Sequence, residues 1–194
     1  MITVGITGNL GSGKSTVCRV FSMLGIPVFN SDEQARIIMN TDPHVRQKLT
    51  KLFGDDVYMN NQLNRKLISD IIFNNKNSLK KINSVVHPAV RNTFNQWRTS
   101  HRNFPYIINE AAILVESGGN KDVDKLILVT APEKLRIERV IKRDKRSVNE
   151  IKNITNNQLP DDKKVSFADF IIENNDKKLI LPTIIEIHNK LIKL

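Results

Sequence analysis

Gly8-Asn9-Leu10-Gly11-Ser12-Gly13-Lys14-Ser15 has the spacing G-x-x-x-x-G-K-[ST]. The chemistry this spacing serves is the cradling of a polyphosphate. Glycine lets the backbone turn tightly around an anion with no Cβ in the way. The N–H groups of such a loop, and those at the start of a following helix, then point at phosphate oxygens. Gly11, Ser12, Gly13, Lys14, Ser15 and Thr16 are therefore the candidate phosphate-binding residues. Lys14 is suited to the β- and γ-phosphates as a compact charge. The Ser15 hydroxyl is suited to Mg²⁺. A glycine-rich turn with no ligand would not need Lys14 and Ser15 in register.

The motif demands a strand before it and a helix after it. Residues 2–6, Ile-Thr-Val-Gly-Ile, read as a short buried strand. Residues 16–24 read as a helix with Val17, Val20, Phe21 and Leu24 on one face. Residues 27–30 form a second strand, and Asp32 follows at its carboxyl end, capping a helix through about Met39. Ligands of open α/β sheets sit beyond the carboxyl ends of the strands. Asp32 is thus expected on the rim that carries the glycine loop, and a plain helix cap is the simpler reading.

Between residues 42 and 102 the pattern turns helical, with no convincing strand. Asp42-Pro43 opens a helix that Gly54 ends, with Pro at its first position. Residues 63–73 and 79–86 read as helices, and His87-Pro88 is expected to break the chain and start another towards Trp97. An insertion of this size exceeds a plain crossover and suggests a second binding wall.

Residues 106–109 and 126–129 are the third and fourth strands, the latter a continuous apolar run as suits a strand buried on both faces. Pro132 starts a helix to about Asp144, on which Arg136, Arg139 and Arg143 share one face. Such a face is either a solvated surface or, at a strand end on the nucleotide rim, a phosphate contact. Ser147-Val148-Asn149-Glu150 is a capping box for a short helix, which residues 158–162 break. Residues 168–175 are the fifth strand with its turn, and 179–194 a closing helix.

Composition narrows the classes. The chain has 194 residues, 40% hydrophobic and 26% charged, which suits one domain with an inserted subdomain. No apolar run reaches the roughly 18 residues of a membrane span. A core strand at the start speaks against a cleaved signal, so the cytoplasm is the expected compartment. One cysteine, Cys18, rules out an internal disulfide, and His44, His87, His101 and His188 lack zinc-like spacing. The net charge of +10 fits small anionic ligands better than nucleic acid, since one Trp and two Tyr offer little to stack on bases. A nucleic-acid module and a GTPase-type switch are the rivals of other classes. For the switch, Asn75-Lys76-Asn77-Ser78 lacks the aspartate that reads guanine.

Taken together, the motifs resemble the dephospho-coenzyme A kinase family over nearly the whole chain. The residues that carry the resemblance are Thr7 to Thr16, Ser31-Asp32 with Ala35-Arg36, Leu63-Asn64-Arg65, Val86-His87-Pro88, Leu114-Val115-Glu116, Arg139 with Arg143-Asp144, Gln158, and Ala168-Asp169 with Ile171, Ile172 and Asn174. Three positions depart from the family's pattern. Asn30 stands for the first of two aspartates, Ala112 for a proline, and Asn64 for an aspartate.

The resemblance implies an α/β fold of the P-loop kinase type. Its five-stranded parallel sheet, about residues 1–40, 104–132 and 166–194, is flanked by helices. An all-helical acceptor subdomain spans about 42–102 and a helical lid about 133–160. It implies an enzyme that moves the ATP γ-phosphoryl group to the ribose 3′-hydroxyl of dephospho-coenzyme A; another P-loop small-molecule or nucleoside monophosphate kinase is the alternative. Asp32, Lys14 and Arg139 would be catalytic, with Asp32 accepting the proton and Glu110 or Glu116 next in line. Arg143 and Asn174 would join the loop on the nucleotide, Ser15 would hold Mg²⁺, and Asp32, Arg65 and His87 would meet the acceptor. The implied partners are these two small molecules, with no nucleic acid or membrane, for a monomer or weak homo-oligomer.

Overall fold

A computed structural model describes the backbone of residues 1–194 and every side chain except those of residues 73, 74 and 76. In chain order the elements are β1 (Ile2–Thr7), α1 (Lys14–Met23), β2 (Val28–Asn30), α2 (Ser31–Thr41), α3 (Pro43–Phe53), β3 (Tyr58–Met59), β4 (Gln62–Leu63), α4 (Arg65–Asn74) and α5 (Lys76–Ser100). There follow β5 (Tyr106–Glu110), β6 (Lys125–Thr130), α6 (Glu133–Asp144), α7 (Val148–Thr155), α8 (Asp161–Val165), β7 (Phe170–Glu173) and α9 (Leu181–Ile192). They gather into two compact units, Met1–Asn30 with His101–Leu194, and Ser31–Ser100.

The first unit is built on a five-stranded parallel sheet in the order β2-β5-β1-β6-β7. Residues of β1, β5 and β6 are almost all buried, and in β6 this shows in the sequence as the unbroken apolar run of residues 126–129. Val17 and Phe21 of α1 and Ile184, Ile187 and Leu191 of α9 join Val4 and Ile6 of β1 in one core. The sheet's free polar groups are met by side chains. Asp124 Oδ2 accepts from the Thr3 N–H at 2.7 Å. Asp169 takes the Lys125 ammonium on one oxygen and the Leu126 N–H on the other, each at 2.8 Å, and so ties β6 to the entry of β7. Because all five strands run one way, the loops after β1, β5, β6 and β7 leave from the same rim.

The second unit holds α2 to α5. Asp42 caps α3 as the sequence suggests, its Oδ1 accepting from the N–H groups of His44 and Val45. Asn64 caps α4 through the Leu67 N–H at 3.1 Å. An amide serves there as well as the family's aspartate, because the cap needs only an oxygen acceptor.

Two expectations fail in this unit. His87-Pro88 does not break the chain: α5 runs unbroken from Lys76 to Ser100 with Pro88 inside it. An interior proline costs about 3 kcal/mol, and the buried stripe of Ile82, Val86, Val90 and Phe94, on both sides of Pro88, offsets that. The insertion also holds a hairpin, β3 with β4, where no strand was expected. Its turn residues Asn60 and Asn61 both take positive φ, 48° and 66°, as a two-residue hairpin of this twist requires. Arg46 anchors it, stacked over the Tyr58 ring at 4.1 Å and bonded to the Asn61 carbonyl at 2.9 Å.

Smaller differences lie at element ends. Asp32 sits in the first turn of α2, which begins at Ser31, instead of capping it from outside. The break expected over residues 158–162 is cut short, because Asp161 and Asp162 already open the short α8. Among the described residues no helix is long and apolar enough to cross a membrane.

Candidate active site

The glycine loop fills the turn between β1 and α1. Gly11 and Gly13 take φ of 81° and 97°. A Cβ on Gly11 would overlap the Arg136 carbonyl oxygen, and one on Gly13 would overlap the Asn174 side-chain amide. Only glycine allows both the backbone angle and the close approach. Gly13 is also the N-cap of α1 and, having no side chain, makes no side-chain cap bond. A helix start capped by backbone alone favours an anion, by its partial positive charge and its outward N–H groups. Lys14 adds a full positive charge. Its Nζ donates to the Gly8 carbonyl at 2.8 Å, which brings the ammonium back across the loop. Ser15 and Thr16 stand exposed in the first turn of α1.

Arg139 and Asn174 close on this loop from α6 and from the end of β7. The Arg139 guanidinium donates to the Gly11 carbonyl at 3.4 Å, to the Asn174 main-chain and side-chain oxygens at 3.1 and 3.2 Å, and to Asp176. The Asn174 amide in turn donates to the Ser12 carbonyl at 2.9 Å. Arg139 and Asn174 thus meet the loop at Gly11 and Ser12. An open depression of about 340 Å³, lined by Asn174, Asp176, Lys177, Lys178, Leu179 and Ile180, lies beside it. Arg143, one turn on from Arg139, forks onto its neighbour Asp144 at 2.7 and 2.8 Å and is exposed. That hydrogen bond, and the charge behind it, holds its guanidinium still more firmly protonated than usual.

Behind the loop lies a group that sequence reasoning passed over. Lys164, in α8, is fully buried and bonded to both Asn9 and Glu116. Asp161 of the same helix is half-buried, and burial raises its carboxyl pKa against the pull of Arg136 and Lys164. In the sequence Lys163-Lys164 reads as surface charge, and nothing local marks the second lysine as buried.

Asn30, the position where the family has an aspartate, donates its amide to Glu110 Oε2 at 3.1 Å. Glu110 is itself buried. An aspartate there would face Glu110 with like charge, whereas the amide supplies a donor. Burial, reinforced by Glu110, pushes the Cys18 thiol up and leaves it an inert core residue.

Asp32, Arg65 and His87 belong to the second unit. Asp32 is half-buried on α2 and Arg65 exposed at the start of α4. His87, on α5, lies in the field of both Arg91 and Asp32. Burial first and then Arg91 lower its pKa, while Asp32 pulls the other way. Among the described residues no group of three or more His, Cys, Asp or Glu side chains could hold a metal ion.

Residues 2–179 match the family model described as dephospho-CoA kinase. The dephospho-CoA kinase of Bacteroides fragilis is 38% identical over 187 residues, covering 96% of this chain and 91% of that one. The crystal structure of TT1252 from Thermus thermophilus superposes with a TM-score of 0.86 at 29% identity, over 97% and 96% of the two chains. The dephospho-CoA kinase of Campylobacter jejuni shares the fold, with a TM-score of 0.72 at 24% identity over 98% and 97%.

Proposed function

The chain belongs to the dephospho-CoA kinase family, and from that premise we propose how its own residues divide the work of moving a phosphoryl group from ATP to dephospho-CoA. The enzyme is a kinase, with ATP as donor, the ribose 3′-hydroxyl of dephospho-CoA as acceptor, and coenzyme A and ADP as products. The observation that carries the assignment of roles is the convergence of Lys14, Arg139 and Asn174 on one glycine loop at the carboxyl rim of a parallel sheet.

Phosphoryl transfer asks for positioning and charge neutralisation more than for covalent help. The loop N–H groups and Lys14 hold the β- and γ-phosphates of ATP. Arg139 turns its guanidinium fork to the transferring group, and Arg143 assists from the same helix, the two acting as part of a lid over residues 133–160. The depression beside Asn174 takes the nucleobase. Asp32 orients the acceptor hydroxyl and receives its proton, with Arg65 and His87 contacting the rest of the acceptor. A normal carboxylate is a weak base towards an alcohol. In a loose transition state the proton leaves late, so Asp32 works by geometry more than by basicity.

Mg²⁺ fits the donor set at the loop. Ser15 offers a hard oxygen donor in the first turn of α1, and this ion takes few protein ligands beside phosphate oxygens and water. Bound there, it would supply positive charge to offset the charge of the phosphates. We place the enzyme in the cytoplasm, as a monomer or weak homo-oligomer without nucleic-acid or membrane partners. The +10 charge then serves two anionic small molecules.

A coupled assay of ADP release tests the reading. Release is expected only when dephospho-CoA and Mg²⁺ are both present, with chelation abolishing it. Equal turnover with AMP, shikimate or gluconate would overturn the acceptor assignment.

A further inference from the structure

Positions 9 and 10 are free to vary in the phosphate-loop pattern. In this chain each is held by a side chain from one stretch, residues 158–164. Gln158 Oε1 accepts the Leu10 N–H at 2.9 Å, and its Nε2 donates to the Ala112 carbonyl at 3.4 Å. The Lys164 ammonium donates to Asn9 Oδ1 and to Glu116 Oε1, both at 2.8 Å. The same Glu116 oxygen accepts the Leu159 N–H at 2.8 Å, which fixes the start of the stretch. Asn9 is buried, and Lys164 has no exposure at all.

Lysine is almost never fully buried unless it is paired. A buried ion pair is a poor device for stability alone, since an apolar pair of similar volume serves as well or better. Here the pair does something an apolar pair cannot do: it aims a charged donor at the side chain of Asn9. With Asn9 fixed, its main-chain carbonyl receives the Ser12 N–H at 3.0 Å and closes the turn through Gly11. With the Leu10 N–H engaged by Gln158, that part of the backbone is pinned from outside. The loop is thereby set before an anion arrives, and such preorganisation is what makes fixed N–H dipoles effective at a reacting phosphate.

We propose that Gln158 and Lys164 are positioning residues for phosphoryl transfer, tethering the phosphate loop at Leu10 and Asn9, with Glu116 holding Lys164 in place. The inference rests on the reading of the loop as the ATP site.

Lys164→Met leaves Glu116 buried without its partner, and loss of folding would tell nothing about the loop. Asn9→Ala and Gln158→Met each cut one tether and keep the ion pair. Both are to be compared with the parent, and with Lys14→Ala, by thermal melting, ATP affinity in the absence of acceptor, and steady-state kinetics with each substrate varied. The tether variants are expected to melt cooperatively and to lose roughly tenfold or more in kcat/KM for ATP, since small misplacements of reacting groups cost rates on that scale. Their KM for dephospho-CoA should stay within about twofold of the parent, as uniform acceptor binding is untouched. Parent values of kcat and KM for ATP in both variants, with only a lower melting temperature, would overturn the proposal and leave the tethers structural. Lys14→Ala separates the two readings. If it keeps parent ATP affinity and turnover, the loop is not the ATP site and the tether proposal falls with it. If it loses both while the tether variants lose neither, the tether proposal alone fails.

Discussion

Arg139 and Asn174 are joined twice, the guanidinium Nη2 lying 3.1 Å from the Asn174 main-chain oxygen and 3.2 Å from its side-chain oxygen. Asn174 then bonds the Ser12 carbonyl, so an arginine of α6 is fastened to the phosphate loop through the last strand of the sheet. The arrangement puts a planar cation at the loop's edge, within reach of its backbone.

A lysine at position 139 keeps the charge and loses the fork. If the fork grips the transferring group, Arg139→Lys should lower kcat at least about tenfold, a modest part of what arginine contributes to phosphoryl transfer elsewhere. Steady-state turnover at saturating substrates checks this. Full activity in the variant would make Arg139 a fastening between α6 and the loop and nothing more.

Asp32→Asn preserves shape and hydrogen bonding and removes the proton acceptor. General-base contributions run to about 10² to 10⁴ in rate, and the fall in turnover is expected in that range. ATP affinity should hold, because Asp32 is assigned to the acceptor. A variant that keeps more than about a tenth of parent turnover would reduce Asp32 to a favourable first-turn charge on α2. The search for the base should then pass to Glu110, since Glu116 is committed to Lys164 and the Leu159 N–H.

His87 should make the protein sensitive to mild acid. Its folded pKa lies below the ordinary 6.5, because of burial and then Arg91 of its own helix, with Asp32 of α2 opposing them. The unfolded chain therefore takes up a proton at a higher pH than the folded one. The stabilising contribution is complete above the unfolded value and is lost as pH falls through the folded one. Melting temperatures measured from neutral pH downwards should fall more steeply for the parent than for His87→Gln. Parallel curves would remove His87 from the acid response.

The sequence alone settled those parts of the molecule whose signal is local. The phosphate loop declares itself because glycine, lysine and serine at fixed offsets have one geometric use, and the flanking strand and helix could be read from apolar spacing. The continuous apolar run of β6 announced a strand covered on both faces. The capping residues Asp42 and Ser147 were legible too. Each depends on neighbours within a turn or two of chain.

Tertiary structure decided what depends on distant partners. Pro88 sits inside a helix because a buried stripe on both sides of it outweighs a local penalty. The hairpin at Asn60-Asn61 escaped notice because its two-residue strands are too short to show a period. Asn30 could be judged only beside Glu110, 80 residues away. Lys164 is the clearest case. Its type and its lysine neighbour mark it as solvated, yet it is buried against Asn9, 155 residues earlier, and Glu116. A charge enters a protein interior only where the fold supplies its counter-charge and acceptor, and that supply is not written in the residues on either side.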